Sequence, residues 1–436
     1  MNVIYIHTHD TGRFIDPYGY DVGTPNLMKF AKEGVLFRNA YSVAPTCSPS
    51  RAALLTSMPA HLNGMLGLAH RGFKLNDYSQ HIVTFLNENK IETVLCGEQH
   101  VAWPKEEVIG YQKIISTKNK DRDDENNPRD IRNAEIAAKY IKENTKKQFF
   151  LAFGMINTHR GWPKNHDINP DYVMPPFPIF DNEITRKDYA SYKASAKIAD
   201  TAAGIVLDAV KEAGLEDDTF VFFTTDHGLC LPNMKCNLYD TGIGVSLIIK
   251  YPGNKLKGKA TDALVSHMDI FPTICEVLNL EKPSHLRGKS LLPILEDNKE
   301  KIRDEIYAEV TFHAAYEPMR CIRTKRYKLI KRFDGYDKVV PSNISNNTVK
   351  GFMIDHGFLN QKIDTEMLFD LYLDPVERVN LVSNDTYTEV YEELSDRLNS
   401  WMKETNDPLL KGTVQRPGGV KVNKKTSQQP GDGDFE

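Results

Sequence analysis

The chain has 436 residues, of which 40% are hydrophobic and 26% charged, with a formal net charge of −4. This length suffices for one large domain and a smaller one, and the composition is that of an ordinary globular protein. The weak negative charge excludes the basic surface of a nucleic-acid-binding protein, and no basic cluster or long apolar run predicts membrane binding.

The first ten residues, MNVIYIHTHD, form a strand-like apolar run. They lack the charged region, apolar region and cleavage site of a secretory signal peptide. The six cysteines are scattered and do not have the spacing of a zinc finger. We therefore expect reduced thiols and a cytoplasmic location.

Strand-like and helix-like patterns alternate along the N-terminal part of the chain. Apolar runs typical of buried parallel strands occur at 2–7, 92–97, 149–156, 219–226 and 245–252. Helical patterns occur at 24–34, 79–89, 191–214 and 267–280. This alternation predicts an α/β domain over residues 1–299, with a large, mixed but mostly parallel sheet between two layers of helices.

The pattern changes after about residue 300. Apolar runs at 305–312, 319–333 and 366–374 predict antiparallel strands, and 387–407 predicts an amphipathic closing helix. We assign 300–411 to a smaller α+β domain. The segment 412–436 is rich in Gly, Pro, Lys and Gln, lacks apolar periodicity, and is predicted to be a mobile tail.

The stretch CSPSRAALLTS, residues 47–57, is unusual. A helix is predicted from Ser50, with Ser48 or Ser50 as its N-cap. Cys47 would then lie just before a helix N-terminus, which favours an anion, and Arg51 in the first turn indicates an anionic ligand. A buried structural cysteine is the alternative interpretation.

Polar residues follow the predicted strands at their carboxyl ends, where open α/β sheets bind ligands. Taken alone, a strand-end Asp can cap a helix and a single His can be structural. Because the ends of neighbouring strands meet at one edge of the sheet, the set as a whole favours a functional site. Two Asp and two His suit a divalent cation, and the Arg, Lys and remaining His side chains suit an anion. The residues are His9, Asp10, Glu98, Gln99, His100, Asn157, His159, Arg160, Asp226 and His227, with Lys235 shortly after.

The stretch CSPSRAALLTS resembles the signature of the type I sulfatases, a family of the alkaline phosphatase superfamily, in which C-x-P-S-R precedes a helix. The similarity covers nearly the whole chain, including FFTTDHG, KCNLYDTG, HMDIFPTICEVL and DLYLDPVERVNLVSN, and is greatest to the N-sulfoglucosamine sulfohydrolase (heparan N-sulfatase) branch. In this family the cysteine is oxidised to Cα-formylglycine. The resemblance thus implies that Cys47 is the modified residue, and that a maturation enzyme recognises Pro49 and Arg51.

The resemblance also implies a mechanism. One hydroxyl of the hydrated aldehyde attacks sulfur and displaces an amine or alcohol; the other then loses its proton and expels sulfate. A cation neutralises charge during the transfer, and Arg51 holds the diol and a sulfate oxygen. The implied metal ligands are Asp10, Asp226, His227 and His9. The implied catalytic residues are Cys47, Arg51, His100, His159 and Lys235; Arg160 and Glu98 occupy substrate-binding positions.

Two residues depart from the family pattern. His9 stands where an Asp is usual; the family holds Ca²⁺, whereas nitrogen donors favour Mn²⁺, Fe²⁺ or Zn²⁺, unless His9 does not ligate. Glu98, in GEQH, stands where a sulfate-binding Lys is expected, and a carboxylate there would repel sulfate. Glu98 could turn away, pair with a cation such as Lys235, or bind an amine of the substrate.

The leading hypothesis is a sulfohydrolase that removes sulfate from a sulfated amino sugar, such as N-sulfoglucosamine in a glycosaminoglycan fragment. Its partners would be a sulfated mono- or oligosaccharide and the maturation enzyme, and a homodimer is possible. Alternatives are a sulfate-ester hydrolase acting on a 6-O-sulfo sugar, a phosphodiester or phosphonate monoester hydrolase, and a non-catalytic sugar-binding protein.

Two other classes are excluded by spacing. Cysteine phosphatases need five residues between Cys and Arg, and three separate Cys47 from Arg51. The GNKLKGK stretch at 253–259 lacks the hydroxyl residue that follows the Lys of a P-loop, so we interpret it as a solvated turn.

Overall fold

The computed structural model describes residues 1–117 and 128–436. The strands in these ranges are β1 (Asn2–His7), β2 (Val35–Tyr41), β3 (Glu92–Gly97), β4 (Lys113–Ile114), β5 (Phe149–Gly154), β6 (Thr219–Thr224), β7 (Gly244–Val245), β8 (Leu247–Lys250), β9 (Lys259–Ser266), β10 (Glu305–Phe312), β11 (Tyr316–Thr324), β12 (Tyr327–Arg332) and β13 (Glu366–Asp370). The α-helices are α1 (Pro25–Glu33), α2 (Cys47–Thr56), α3 (Ala60–Asn63), α4 (Ile82–Glu88), α5 (Arg129–Glu143), α6 (Glu183–Glu212), α7 (Asp240–Ile243), α8 (Ile270–Val277), α9 (Leu292–Leu295), α10 (Thr348–Asp355) and α11 (Thr388–Glu404).

The large sheet has the strand order β4-β3-β5-β1-β6-β8-β2-β7, with β9 beside β2. Strands β4, β3, β5, β1 and β6 are mutually parallel, which confirms the predicted mostly parallel sheet. The prediction of a parallel strand at 245–252 is wrong, because β8 runs antiparallel to both β6 and β2. A continuous apolar run indicates burial on both faces but carries no information about strand direction.

Helices cover both faces of this sheet. Side chains on one face, such as Ile4 and Ile6 of β1, pack with α1, α5 and α6. Those on the other face, such as Val3 and Tyr5, pack with α2, α4 and α8. This alternation of side chains buries both faces of the strands and fixes the sheet between two helical layers.

Several elements differ from the predictions. Helix α6 begins at Glu183, well before the predicted residue 191, because the Asn182 side chain accepts a hydrogen bond from the backbone N–H of Thr185 in a capping box. Strands β2 and β9 and helix α5 were not predicted. The N-terminal half of β9 is solvent-accessible, and α5 is rich in charged residues, so neither shows a continuous apolar signal.

The second sheet has the order β10-β11-β12-β13 and is antiparallel throughout, as predicted. One face packs against Leu394 and Leu398 of α11. The other face packs against Tyr41 and Leu264 of the large sheet. The small sheet is therefore held between α11 and the N-terminal domain.

The last residues, predicted to form a mobile tail, lie against the body of the molecule. Val420, Val422 and Asn423 are buried, and the Asn423 N–H donates to the carbonyl of Ala314 at 2.8 Å. The Lys350 ammonium donates to the carbonyl of Gln428 at 2.6 Å. These contacts use isolated valines and backbone groups, which produce no apolar periodicity in the sequence.

Among residues 1–117 and 128–436, no helix has the length and apolar character needed to cross a membrane.

A buried ionic network joins the two domains. The guanidinium group of Arg320 on β11 donates to both carboxylate oxygens of Asp407, at 2.5 and 3.0 Å, and lies 3.3 Å from Glu309. His61 Nδ1, on α3, lies 3.0 Å from the same Glu309 carboxylate. Since the side chains of all four residues are almost completely inaccessible to solvent, each charge depends on its partners.

We predict that Arg320→Met lowers the free energy of unfolding by about 3–5 kcal/mol, because it leaves two carboxylates buried without their cation. Urea denaturation followed by circular dichroism measures the change. The control is Lys301→Met, which breaks a solvent-exposed pair with Asp304 and should change the free energy of unfolding far less. Equal destabilisation by the two substitutions would contradict this view of the network.

Candidate active site

The predicted strand-end residues meet at one edge of the large sheet. His9 and Asp10 follow β1, His100 follows β3, and Asp226 follows β6, and these strands are parallel. The Asp10 N–H donates to Asp226 Oδ1 at 2.8 Å, and His9 Nε2 lies 3.1 Å from His100 Nδ1. The His159 ring, after β5, lies 5.1 Å from the His9 ring between centroids.

Cys47 is the first residue of α2, so the predicted helix start at Ser50 is wrong. The preceding Thr46 is extended and makes no side-chain cap. Neither predicted serine cap forms, because both hydroxyls are used elsewhere: Ser48 Oγ accepts from the Ala69 N–H at 3.0 Å, and Ser50 Oγ donates to the Asp226 carbonyl at 2.6 Å. The Cys47 side chain thus lies at the helix N-terminus itself, where the helix dipole favours an anion.

The Cys47 thiol lies in a strongly electropositive environment. Burial raises its pKa, but the Lys235 ammonium and the neighbouring imidazoles of His100, His227 and His9 outweigh this effect and hold the pKa well below its usual value. In contrast, burial raises the pKa of every other cysteine, to about 12 in most cases. These are Cys96, Cys230, Cys236, Cys275 and Cys321.

Two buried carboxylates face these cations. Lys235 Nζ donates to both oxygens of Asp10, at 3.1 and 2.9 Å. Arg51 Nη2 donates to Asp226 Oδ2 at 3.0 Å and to the Thr8 carbonyl at 3.0 Å. Burial alone would raise the pKa of each carboxyl, but Lys235 and His227 lower that of Asp10, and His227 and Arg51 lower that of Asp226. Both are therefore ionised at neutral pH.

The side chain of His227 is arranged as a ligand for a cation. Its Nδ1 lies 3.0 Å from the Gly228 carbonyl, to which it donates, so Nε2 carries the lone pair in the neutral ring. This Nε2 is buried and has no hydrogen-bond partner among the described residues, although it lies 3.3 Å from Asp10 Oδ1 and 3.7 Å from Asp226 Oδ2. Burial lowers the pKa of His227, but the charges of Asp226 and Asp10 outweigh burial and raise it, so a divalent cation bound by both carboxylates and Nε2 would displace a proton from this ring.

His9 is arranged differently. Its Nδ1 lies 3.1 Å from Asp226 Oδ2, and its Nε2 lies 3.1 Å from His100 Nδ1. Burial lowers its pKa, but the charge of Asp226 outweighs burial and raises the pKa well above the usual value. His9 nevertheless contributes one ligand atom to a group with Asp10, Cys47 and Asp226 in which these atoms all lie within 4.8 Å of one another, so it stays a candidate ligand for a metal ion.

Glu98 pairs with a residue that the sequence analysis missed. Its Oε1 accepts from Arg129 Nη1 at 2.5 Å, and its Oε2 lies 3.6 Å from His100 Nε2. Burial raises the pKa of Glu98, but His100 and Arg129 lower it to about 2. The suggested pairing of Glu98 with Lys235 does not occur, because Lys235 is bound to Asp10.

Arg160 is anchored close to His159. Its guanidinium donates to both oxygens of Asp188 on α6, at 2.6 and 2.7 Å, and lies 3.7 Å above the Trp162 ring. His159 Nδ1 lies 3.1 Å from the Arg160 carbonyl. Burial lowers the pKa of His159 to about 4, so its ring is neutral at pH 7.

Other supporting residues were also missed. His7 contacts the Arg51 guanidinium, and His267 lies 3.3 Å from Ser50 Oγ and 3.1 Å from Thr224 Oγ1. His7 ends a strongly predicted strand, so its position at the ligand-binding edge could have marked it. No local sequence signal marks Arg129 or Asp188, since they reach the site from the helical layer.

Solved structures define the class of fold. A protein of Bacteroides thetaiotaomicron described as a sulfatase is 21% identical, with a TM-score of 0.76 and 98% of each chain covered. A phosphonate monoester hydrolase of Agrobacterium radiobacter is 20% identical, with a TM-score of 0.70, and 95% of this chain and 99% of that one are covered. The chain therefore shares its fold with both of these proteins.

The chain belongs to the sulfatase family, whose model matches residues 1–280, and it is accordingly a hydrolase. A second model, for the C-terminal region of N-sulphoglucosamine sulphohydrolase, matches residues 233–341. Human N-sulphoglucosamine sulphohydrolase is 27% identical, with 93% of this chain and 90% of that protein covered. An ulvan-active sulfatase of Formosa agariphila is 29% identical, with 92% of this chain and 79% of that protein covered.

We predict that in protein with unmodified Cys47, iodoacetamide at pH 7 alkylates this residue before the other five cysteines. Its pKa lies well below the usual value, so the reactive thiolate predominates at a pH where the others are thiols. Lys235→Met removes the largest charge that lowers this pKa and should slow the alkylation at pH 7, with the rate recovering as the pH rises.

Peptide mass spectrometry against time measures the alkylation of each cysteine. Lys29→Met, at an exposed lysine paired with Asp208, serves as the control. Alkylation of Cys47 at the same rate in the Lys235→Met and Lys29→Met proteins would show that Lys235 does not lower the pKa of the Cys47 thiol.

Proposed function

We propose that the protein is a formylglycine-dependent sulfohydrolase that removes the N-sulfate from a glucosamine residue at the end of a glycosaminoglycan fragment. The observation that carries the proposal is the position of Cys47, at the start of α2 and with Sγ within 4.8 Å of ligand atoms of His9, His100, Asp10 and Asp226. The match of the C-terminal region to the N-sulphoglucosamine sulphohydrolase model supports the choice of substrate.

The residues around Cys47 fit both groups that this chemistry needs. Asp10, Asp226 and His227 would hold a divalent cation, which supplies Lewis-acid stabilisation of charge on the sulfuryl oxygens. Formylglycine at position 47 would supply a hydrated aldehyde with one hydroxyl for attack on sulfur and another for release of sulfate. The nitrogen donor of His227 favours Mn²⁺, Fe²⁺ or Zn²⁺ more than an all-oxygen site would, although Ca²⁺ is the family expectation.

Arg51 and Lys235 have two tasks in this proposal. They neutralise the buried carboxylates, and their charges act on residue 47, where a sulfate group would lie. Sulfate binding there is favoured by the cations and by the N-terminus of α2. The electrostatic stabilisation is in place before the substrate binds, so little reorganisation is needed during the reaction.

His159 and His100 would handle protons. His159 is neutral at pH 7 in the free protein, and a bound sulfate group beside it favours its protonated form, which can donate to the leaving nitrogen. His100 contacts His9 on one side and faces Glu98 on the other, so its ring is oriented on both sides. Glu98 is thus better placed to orient His100 than to bind a substrate amine.

Hydrolysis of a sulfate ester is the second candidate. It is supported by the similarity to an ulvan-active sulfatase, which is no less identical to this chain than the human N-sulfatase is. The chemistry at residue 47 would be unchanged, with an alcohol in place of the amine as leaving group. A cytoplasmic location, proposed from the sequence, would favour small sulfated sugars over polymers as substrates of either kind.

We predict that protein matured by co-expression with a formylglycine-generating enzyme releases sulfate from N-sulfoglucosamine, and that Cys47→Ala abolishes this release. Ion chromatography measures sulfate, with glucosamine 6-sulfate and an aryl phosphodiester as competing substrates. Release from the 6-sulfate alone would move the protein to the ester hydrolases. Cleavage of the phosphodiester without any sulfate release would show that the proposed reaction is wrong.

We also predict that Glu98→Gln lowers kcat for the preferred substrate severalfold, because His100 loses the carboxylate charge that lies 3.6 Å from its Nε2 and helps to orient its ring. The matched control is Glu92→Gln, at the opposite end of β3, where the carboxylate pairs with Lys113. Steady-state kinetics separate kcat from KM. A rise in KM with unchanged kcat would instead assign Glu98 to substrate binding.

A further inference from the structure

The turn of the β10–β11 hairpin is buried in the N-terminal domain. His313 is 7% exposed, and Ala314 and Ala315 are fully buried, whereas hairpin turns usually lie on the surface. The Phe312 N–H donates to the Leu66 carbonyl at 3.1 Å. In the adjoining strand β10, the backbone N–H of Glu309 donates to the Val43 carbonyl at 2.8 Å. The C-terminal sheet therefore reaches the segment that leads into Cys47.

This turn is held rigidly. The N–H groups of Ala314 and Ala315 donate to Asn343 Oδ1 at 3.0 and 2.8 Å. The Ala314 carbonyl accepts from the N–H of Asn423, and the His313 N–H donates to the Ala315 carbonyl at 3.2 Å. Because five backbone groups are fixed in this way, the position of the His313 ring is also restricted.

One buried polar atom of the turn is left without a partner. His313 Nδ1 is inaccessible to solvent and makes no hydrogen bond with any described residue. A buried polar atom without a partner is costly, and native proteins keep few of them. At the edge of a ligand site, such an atom is a candidate for binding the ligand.

The turn that carries His313 lies beside the start of α2: the Leu66 carbonyl accepts from the Phe312 N–H, and the N–H of nearby Ala69 donates to Ser48, the residue after Cys47. Burial lowers the pKa of His313 well below the usual value, and among the neighbouring charges Lys235 lowers it further while Cys47 opposes the shift. The ring is therefore neutral at pH 7, with one N–H donor and one acceptor. A neutral imidazole adds no charge to hold sulfate, which Arg51 and Lys235 already attract, but it matches an uncharged hydroxyl group.

We propose that His313 contacts the substrate, with Nδ1 forming a hydrogen bond to a hydroxyl group of the sugar ring that carries the sulfate. This extends the proposed function, on which it rests for the sugar. It gives the C-terminal sheet a direct part in substrate recognition, separate from the residues that act on the sulfate group.

The test uses two amides in place of the imidazole. In His313→Asn the side-chain amide can occupy the position of Nδ1, whereas in His313→Gln it reaches the position of Nε2. Both substitutions are made in Cys47→Ala protein, so that substrate is bound but not consumed. Titration calorimetry then measures Kd for N-sulfoglucosamine, glucosamine 6-sulfate and inorganic sulfate.

We expect His313→Gln to raise Kd for the preferred sulfated sugar about tenfold, the change that one lost hydrogen bond of about 1.4 kcal/mol produces, and His313→Asn to restore most of the affinity. Equal losses in the Asn and Gln variants, or no loss in either, would overturn the proposal. So would a sulfated sugar that binds Cys47→Ala protein no more tightly than inorganic sulfate does.

A second buried histidine provides the control. His81 also has an unpartnered Nε2 among the described residues, but its pKa is lowered by burial alone. His81→Asn keeps an N-cap for α4 and should leave every Kd unchanged. Selective weakening of glucosamine 6-sulfate binding would support the role of His313 while refuting the N-sulfate as substrate, so the two proposals fail separately.

Discussion

The carboxylates of Asp10 and Asp226 are buried side by side, and the arrangement of the site follows from the need to neutralise them. Arg51 reaches Asp226 from α2, and Lys235 reaches Asp10 from the loop after β6. Because Arg51 lies one turn after Cys47, its ion pair with Asp226 also fixes the start of the helix. The same electrostatic constraint thus positions Cys47 beside the imidazoles and places cations where an anion would bind.

The need for neutralisation explains how position 98 can carry a carboxylate where the family is expected to have a Lys. The site already contains Arg51 and Lys235, and Arg129 adds a third cation nearby. With Arg129 in place, the carboxylate of Glu98 is neutralised and can face His100 without leaving net negative charge near the anion. The family is expected to have the cation of a Lys at this strand end. Here the strand end carries the carboxylate of Glu98, and the neighbouring cation, Arg129, comes from α5.

Much of this could be predicted from the sequence, because the signals are local. The apolar runs of β1, β3, β5 and β6 are continuous, and each is followed within five residues by an ionisable residue, so the parallel sheet determines that these residues meet. The direction of β8, the start of α2 and the pairing of Glu98 depend instead on contacts between distant segments. Arg129 and Asp188 lie on helices α5 and α6. The hydrophobic pattern of a helix predicts which face is buried, but not which of its charged residues reaches the site.

The depth of Cys47 has a consequence for the order of events in the cell. Cys47 and Arg51 are 4% and 2% exposed, so a modifying enzyme that must read both side chains cannot reach them in the finished fold. Under the proposed function, conversion at residue 47 must therefore precede folding of the domain around it. A chain that folds first would keep an unmodified thiol at this position, enclosed by the same fold that excludes the modifying enzyme.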